Sequence, residues 1–276
     1  MKFSMIFEAQ LVDPTPERER QVIHDCVEQA VLAEEMGFDR IWAVEHHSLT
    51  RYAHMSASEI FLTWVAARTS TIRIGHGVVT MPFGYRHPVR VAERAAKLDV
   101  LSGGRVDIGP GAILPRPVQD PHPPLFMACS KHDTLKLAAE LGIGALVMGF
   151  AGADDVRAMR KVYDEAIATR GGERLVSATP NDHFSALCPT IVLDDAERAL
   201  RLGTRGRRPV DTGTYNAEHA YGSAETAIAY VEQLREIGVD EVMCLIQMGT
   251  VPQEACLETI RQWGEKVIPH FRALEA

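Results

Sequence analysis

The chain has 276 residues, 46% hydrophobic and 24% charged, with 29 basic against 37 acidic side chains and a formal net charge of -8. That length suffices for one large core or two small ones, and an acidic balance spread along the chain disfavours a nucleic-acid surface and points to small or neutral partners. No apolar run approaches the ~18 residues of a membrane span, and the opening Lys2-Phe3-Ser4-Met5-Ile6-Phe7 is too short for a signal peptide, so the expected location is cytoplasmic. In chain order, residues 2–7 read as a strand and 16–37 as a helix, with Val22, Cys26, Ala30 and Ala33 at helical spacing, Thr15-Pro16-Glu17 opening it and Gly37 stopping it. A strand over 40–44 runs into a loop at 45–55, and a helix over 58–68 closes at Thr69-Ser70. A strand over 73–79 ends at Thr80-Met81-Pro82, and His87-Pro88 starts a helix with Val91, Ala95 and Leu98 on one face. Ser102-Gly103-Gly104 turns the chain into a strand over 105–109. The alternation then continues with a strand over 125–128, a helix over 134–141, a strand over 145–148, a helix over 154–170, an apolar segment at 190–193, a helix over 224–238, a strand over 241–247 and a helix over 252–271. Such repetition implies a parallel sheet, and roughly eight repeats imply a closed (β/α)8 TIM barrel in one domain spanning 1–276.

Chemistry is expected where the 40–44 strand ends. Ile41, Trp42, Ala43 and Val44 suit a buried strand, whereas Glu45-His46-His47 cannot enter the same core unpaired and must sit at the carboxyl edge, where barrels build their sites. A metal held by Glu45, His46, His47 and His54 is disfavoured, because adjacent residues do not readily face one ion and no helical His-Glu-x-x-His spacing occurs. Five cysteines, Cys26, Cys129, Cys188, Cys244 and Cys256, form no close pair, and the odd count argues against a disulfide framework. Cys26 and Cys244 read as small buried hydrophobes. Cys129 differs, because it follows the strand Leu125-Phe126-Met127-Ala128 and precedes Ser130.

Several blocks in a fixed order resemble the bacterial luciferase-like flavin monooxygenases: Met1-Lys2-Phe3, Ala33-Glu34-Glu35-Met36-Gly37-Phe38-Asp39, the Trp42-to-His47 strand end, Ile72-Arg73-Ile74-Gly75, Arg86-His87-Pro88-Val89-Arg90, Leu98-Asp99-Val100-Leu101-Ser102-Gly103-Gly104-Arg105, Pro121-His122-Pro123-Pro124 and Gly238-Val239-Asp240-Glu241-Val242. The resemblance implies a luciferase-like (β/α)8 barrel, reduced FMN as cosubstrate, dioxygen, and a homodimer or higher homo-oligomer. It implies oxidation of a small organic substrate through a C4a-peroxyflavin. Gly109-Pro110-Gly111 and Gly142-Ile143-Gly144 lack the full nicotinamide-binding glycine pattern, which points to a separate flavin reductase.

By the same resemblance, His46 takes the catalytic position beside the flavin, with Glu45 orienting it or touching the flavin; the competing readings are a backbone cap for His46 and an ion pair with Arg51 for Glu45. His47 is read as structural. Gly77-Val78 matches the position of a non-proline cis peptide beneath the flavin ring, with an ordinary strand bulge as the competing reading; Met148-Gly149-Phe150 is read as closing over the ring, against core packing for Met148 and Phe150, and Phe7-Glu8 as lining the pocket or simply closing the barrel. Ala128-Cys129-Ser130 and Thr134 offer a hydroxyl and the amides of a helix start to the phosphate, although Thr134 reads equally as an ordinary helix-start residue. The chain departs from the family at Gly111-Ala112 and near Gly206, where insertion segments are missing. They are a natural deletion, an engineered one, or segments left out of the recorded sequence; the last is favoured because both junctions fall where the family has mobile loops. A deazaflavin-dependent oxidoreductase, a noncatalytic flavin-binding protein and, least favoured, a metal-dependent barrel hydrolase remain as alternatives.

Overall fold

The computed structural model describes residues 1–49, 52–80, 87–107, 118–120, 122–148, 152–176, 179–205 and 219–275. Its elements in chain order are β1 (Lys2–Phe7), α1 (Pro16–Glu35), β2 (Arg40–Ala43), α2 (Ser58–Arg68), β3 (Arg73–His76), α3 (Pro88–Ser102), β4 (Val106–Asp107), β5 (Phe126–Cys129), α4 (His132–Leu141), β6 (Gly144–Val147), α5 (Ala153–Ala168), β7 (Phe184–Val192), α6 (Ala196–Arg205), β8 (Ala220–Gly222), α7 (Ala224–Ile237), β9 (Glu241–Leu245), α8 (Gln253–Gln262) and α9 (Ile268–Ala273). All pairings are parallel, in the order β4-β3-β2-β1-β9-β7-β6-β5, a nearly closed eight-stranded TIM barrel with helices between strands. The short β8 joins the far half of β7. Both junctions of the sequence reading, at Gly111-Ala112 and near Gly206, lie outside the described residues.

Local sequence explains the helix boundaries. The Thr15 side chain accepts from the Arg18 amide at 3.3 Å with Pro16 in the first turn, and α3 begins at Pro88 behind His87 and stops at Gly103, whose φ of 71° suits glycine. Between α2 and β3, the Glu34 carboxylate gathers the amides of Ser70, Thr71 and Ile72; together they hold its pKa below the usual range against the opposing effect of burial.

Besides the unanticipated β8, three elements depart from the sequence expectation for identifiable reasons. The apolar segment at 190–193 is only the end of a nine-residue β7, whose part before residue 190 carries Ser185 and Pro189. Pro189 lies where β7 leaves β9 and takes up β8, a place where a missing N–H is tolerated. The helix α6 was not anticipated; its inward face is short and built mostly of small residues, with Ala199 and Gly203 buried and Leu202 half-buried. A Cβ on Gly203 would meet the Tyr221 ring at 2.4 Å, so glycine is what lets α6 close onto β8. The last predicted helix is interrupted by a π turn at Trp263–Val267.

The barrel floor is ionic. Arg40 on β2 donates from Nε to Asp107 on β4 at 2.5 Å and from Nη1 to Glu241 on β9, while Trp42 Nε1 and His183 Nε2 engage Glu241 at 2.7 and 2.9 Å. Arg73 on β3 forks onto Asp107. Both carboxylate side chains are fully buried, so a hydrogen-bonded cation is a condition of their staying ionised. Burial alone would raise the Glu241 carboxyl, but Arg40 and His183 hold it down at about 2.

An Arg40→Met substitution strips both carboxylates of their shared cation, and a loss of about 3–5 kcal/mol in urea unfolding at pH 7 is expected. Because Glu241 is depressed in the fold relative to ~4.3 in an unfolded chain, its contribution is complete above that value and disappears as pH falls towards about 2. Acid titration of unfolding free energy should therefore decline across that interval, and less steeply in Glu241→Gln. All five cysteines are free and buried, and burial pushes the Cys188 and Cys256 thiols up to about 12. Native protein should resist a thiol-specific disulfide reagent that titrates five thiols after denaturation.

Candidate functional site at the barrel mouth

The carboxyl ends of β1, β2, β3 and β9 converge on one cluster of polar side chains. Gly77 donates its amide to the Ala43 carbonyl at 2.8 Å and Val44 donates to Phe7 at 3.2 Å, so the strand extensions stay in register beyond the sheet. The Gly77–Val78 peptide is cis, as the resemblance implied. Beneath it, Trp42 lies so close to β3 that a Cβ on Gly75 would meet its ring at 2.3 Å. Trp42 and Phe126 meet edge to face at 5.0 Å and close the lumen below the mouth.

The acid and two imidazoles at the end of β2 divide their work. The Glu45 side chain is completely buried; one oxygen binds His47 Nε2 at 2.7 Å and the other accepts the Thr80 amide at 3.2 Å. Among the described residues the partner of Glu45 is therefore His47, neither His46 nor an arginine, and Arg51 itself lies outside them. His46 is anchored by its backbone, donating to the Met55 carbonyl at 2.9 Å, while its half-buried ring packs edge to face against Tyr52 at 5.6 Å. An imidazole held half open to the mouth is placed to exchange a proton with a bound molecule, and Glu45 makes His47 a second oriented imidazole beside it.

Tyr52, Gln10, Gln247 and Thr80 were not singled out as site residues by sequence reading. Tyr52 Oη donates to Glu8 at 2.7 Å, and Gln247 exchanges two 2.7 Å hydrogen bonds with the Gln10 backbone, tying β9 to β1. Their only sequence signal is position: Gln10 and Gln247 each follow a strand by two or three residues. Glu8, which sequence reading offered as a pocket residue, is in this cluster.

The residues assigned to a flavin lie on the other strands. Val78, Ala128 and Met148 are half-buried apolar residues at three strand ends, the surface an apolar ring system would cover. Gly149 and Phe150 lie outside the described residues. Cys129 is the last residue of β5, fully buried, with burial pushing its thiol up to about 11, so it packs and does not act as a thiolate. Ser130 is exposed just ahead of α4, whose N-cap is Lys131, a side chain with no acceptor, so no cap oxygen occupies the first-turn amides. An incoming phosphate would find those amides, the Ser130 hydroxyl and the Lys131 ammonium, opposed by the Asp133 carboxylate; the donor set fits the phosphate of a flavin-type cofactor. Thr134 is spent otherwise, donating to the Lys131 carbonyl at 2.8 Å and accepting its amide at 3.3 Å, the ordinary helix-start role.

Among known proteins, a curated relative, 4-hydroxyprotoasukamycin monooxygenase of Streptomyces nodosus subsp. asukaensis, is 43% identical over 86 residues, 31% of this chain but only 22% of that one. The crystal structure of monooxygenase RslO1 from Streptomyces bottropensis superposes with a TM-score of 0.81 at 22% identity, covering 98% of this chain and 100% of the other. The FMN complex of the oxygenating constituent of 3,6-diketocamphane monooxygenase, from the CAM plasmid of Pseudomonas putida, gives 0.77 at 16%, covering 98% of both chains. A coenzyme F420-dependent tetrahydromethanopterin reductase from Methanopyrus kandleri gives 0.70 at 18%, covering 98% of this chain and 99% of the other. At these identities the structures establish the shared fold. The luciferase-like monooxygenase family matches residues 1–112 and 110–267, two stretches that meet at the Gly111-Ala112 junction and together span nearly the whole chain. The chain belongs to the luciferase-like monooxygenase family.

Proposed function

We propose that this protein is the oxygenase component of a two-component flavin monooxygenase, taking reduced FMN from a separate reductase and using dioxygen to oxidise a small organic substrate. The observation that carries this reading is the half-buried His46 ring, fixed by Tyr52 at a strand end of a luciferase-like barrel. The FMN-bound oxygenating constituent with the same fold supports the choice of flavin and the two-component arrangement.

When bound, reduced FMN supplies the electron pair that activates dioxygen. The chain's own residues do the rest. His46 Nδ1 or Nε2 holds or delivers a proton at the reacting centre, and Glu45 keeps His47 oriented as its neighbour. Val78, Ala128 and Met148 exclude water from the ring, while Ser130, Lys131 and the first-turn amides of α4 hold the phosphate. A homo-oligomer fits the α2 and α3 surface, where Ile60, Trp64 and Leu101 are 70, 58 and 68% exposed, more apolar area than a solvated helix face needs.

Fluorescence titration should show FMN binding, with Ser130→Asp weakening it at least tenfold (~1.4 kcal/mol) by setting a charge against the phosphate. Tighter binding of the deazaflavin than of FMN would instead select a hydride-transfer enzyme. With reduced FMN supplied by an unrelated reductase, His46→Ala should lower product formation about 10²- to 10⁴-fold while leaving flavin affinity within threefold. Product formed equally well without any flavin would sink the proposal. Trp64→Glu should shift the protein to a smaller species in sedimentation velocity without loss of helical signal; an unchanged sedimentation coefficient would exclude that face as the subunit contact.

A further inference from the structure

Ser4, Ile6 and Glu8 fall on one face of β1 and its extension, because strand side chains alternate. That face is the lumen. Ser4 lies beside Glu241, which reaches across the barrel to Arg40, Trp42 and His183. Glu8 therefore heads a lumen column at the mouth, and Gln247 heads the neighbouring one above Glu241, Met243 and Leu245.

Glu8 is 8% exposed and its partners are both neutral: Tyr52 Oη donates to Oε1 at 2.7 Å and Gln10 Nε2 donates to Oε2 at 2.5 Å. The other buried carboxylates among the described residues are answered differently. Asp107 and Glu241 share Arg40, with Arg73 and His183 added. Glu45 has an imidazole and an amide, and Asp99 accepts three backbone amides and a carboxamide. Glu8 alone in this set is paired with neither a cation, an imidazole nor a backbone amide. It is also held with unusual firmness. Ala9, next in sequence, has a φ of 51°, strained for a residue with a Cβ. The clamp of Gln10 on Gln247, the Gly249 amide on Gln10 Oε1 and the His54 amide on the Ala9 carbonyl keep it there.

Each carboxylate oxygen with one donor retains capacity for another, and an anion removed from water gains most from an opposite charge. The adjoining Tyr52 and His46 rings add aromatic surface of the kind that receives an organic cation. We propose that Glu8, fixed by Tyr52 and Gln10, is the recognition group for a protonated amine, so that the mouth takes an amine-bearing substrate. This rests on the reading that the substrate enters the same mouth as the flavin.

Benzylamine and its neutral isostere benzyl alcohol are the probes, titrated by calorimetry into the full chain with and without oxidised FMN. Benzylamine should bind at least tenfold more tightly than the alcohol. Glu8→Gln should remove that preference while melting within a few degrees of the parent, because the change deletes charge but little volume. Equal affinity for the two probes, no benzylamine binding, or an unchanged preference in Glu8→Gln would each overturn the assignment. Amine preference without flavin-dependent oxygenation leaves the subsite standing and removes the monooxygenase reading; oxygenation of neutral compounds with no amine preference does the reverse.

Discussion

Arg40 is the residue on which the barrel turns. Its guanidinium sits at the start of β2 and reaches β4 through Asp107 and β9 through Glu241, strands that lie on opposite sides of it in the sheet order. A lumen this wide has to be filled by side chains, and here the lowest layer is filled by charges whose desolvation is offset only while every partner is present. The consequence is geometric. With Arg40, Trp42 and Glu241 locked together, the opposite ends of β1, β2, β3 and β9 emerge at fixed positions, and everything at the mouth inherits that rigidity.

The mouth uses the rigidity in a different way from the floor. Ala9 and Ser48, the non-glycine residues with positive φ among the described ones, each follow a strand extension that carries site residues, Glu8 beyond β1 and the Glu45-His46-His47 run beyond β2. Conformations of that kind cost about 1–3 kcal/mol each and persist only where surrounding contacts over-determine them. The contacts are visible: Gln247 clamps Gln10 on one side, and Thr80 and His47 fix Glu45 on the other. Side chains at both strand ends are thus held by bonds from neighbouring strands, a requirement for a site that must present imidazoles at a set distance from a bound molecule.

What could be read in the sequence follows from which forces are local. Apolar runs, helix caps and the switch from Val44 to Glu45 are local signals, so most elements, the barrel and the position of His46 and His47 were legible. Pairings are not local. Glu45 faces two histidines in sequence, and contacts from far along the chain, the Thr80 amide 35 residues away among them, hold its carboxylate where it meets His47. Likewise Arg40, Asp107 and Glu241 each look like a solvated strand-end charge until the barrel closes them on one another. The part of β7 before residue 190 was obscured by Ser185 and Pro189, and α6 by the shortness of an inward face made chiefly of Ala199 and Gly203.

The distribution of charge along the barrel axis carries the functional argument further than any single residue. A fold seeking only stability would answer every buried carboxylate from within, as the floor does with Arg40 and Arg73 and as Asp99 does with backbone amides. At the mouth, Glu45 has its imidazole, but among the described residues Glu8 is met by a phenol and a carboxamide. Both donors hold the carboxylate in place without neutralising it, and the backbone beside it is bent into a strained conformation to keep it facing the lumen. A carboxylate so placed, held by neutral donors and set at the mouth rather than in the ionic floor, is the feature on which the proposed amine recognition rests.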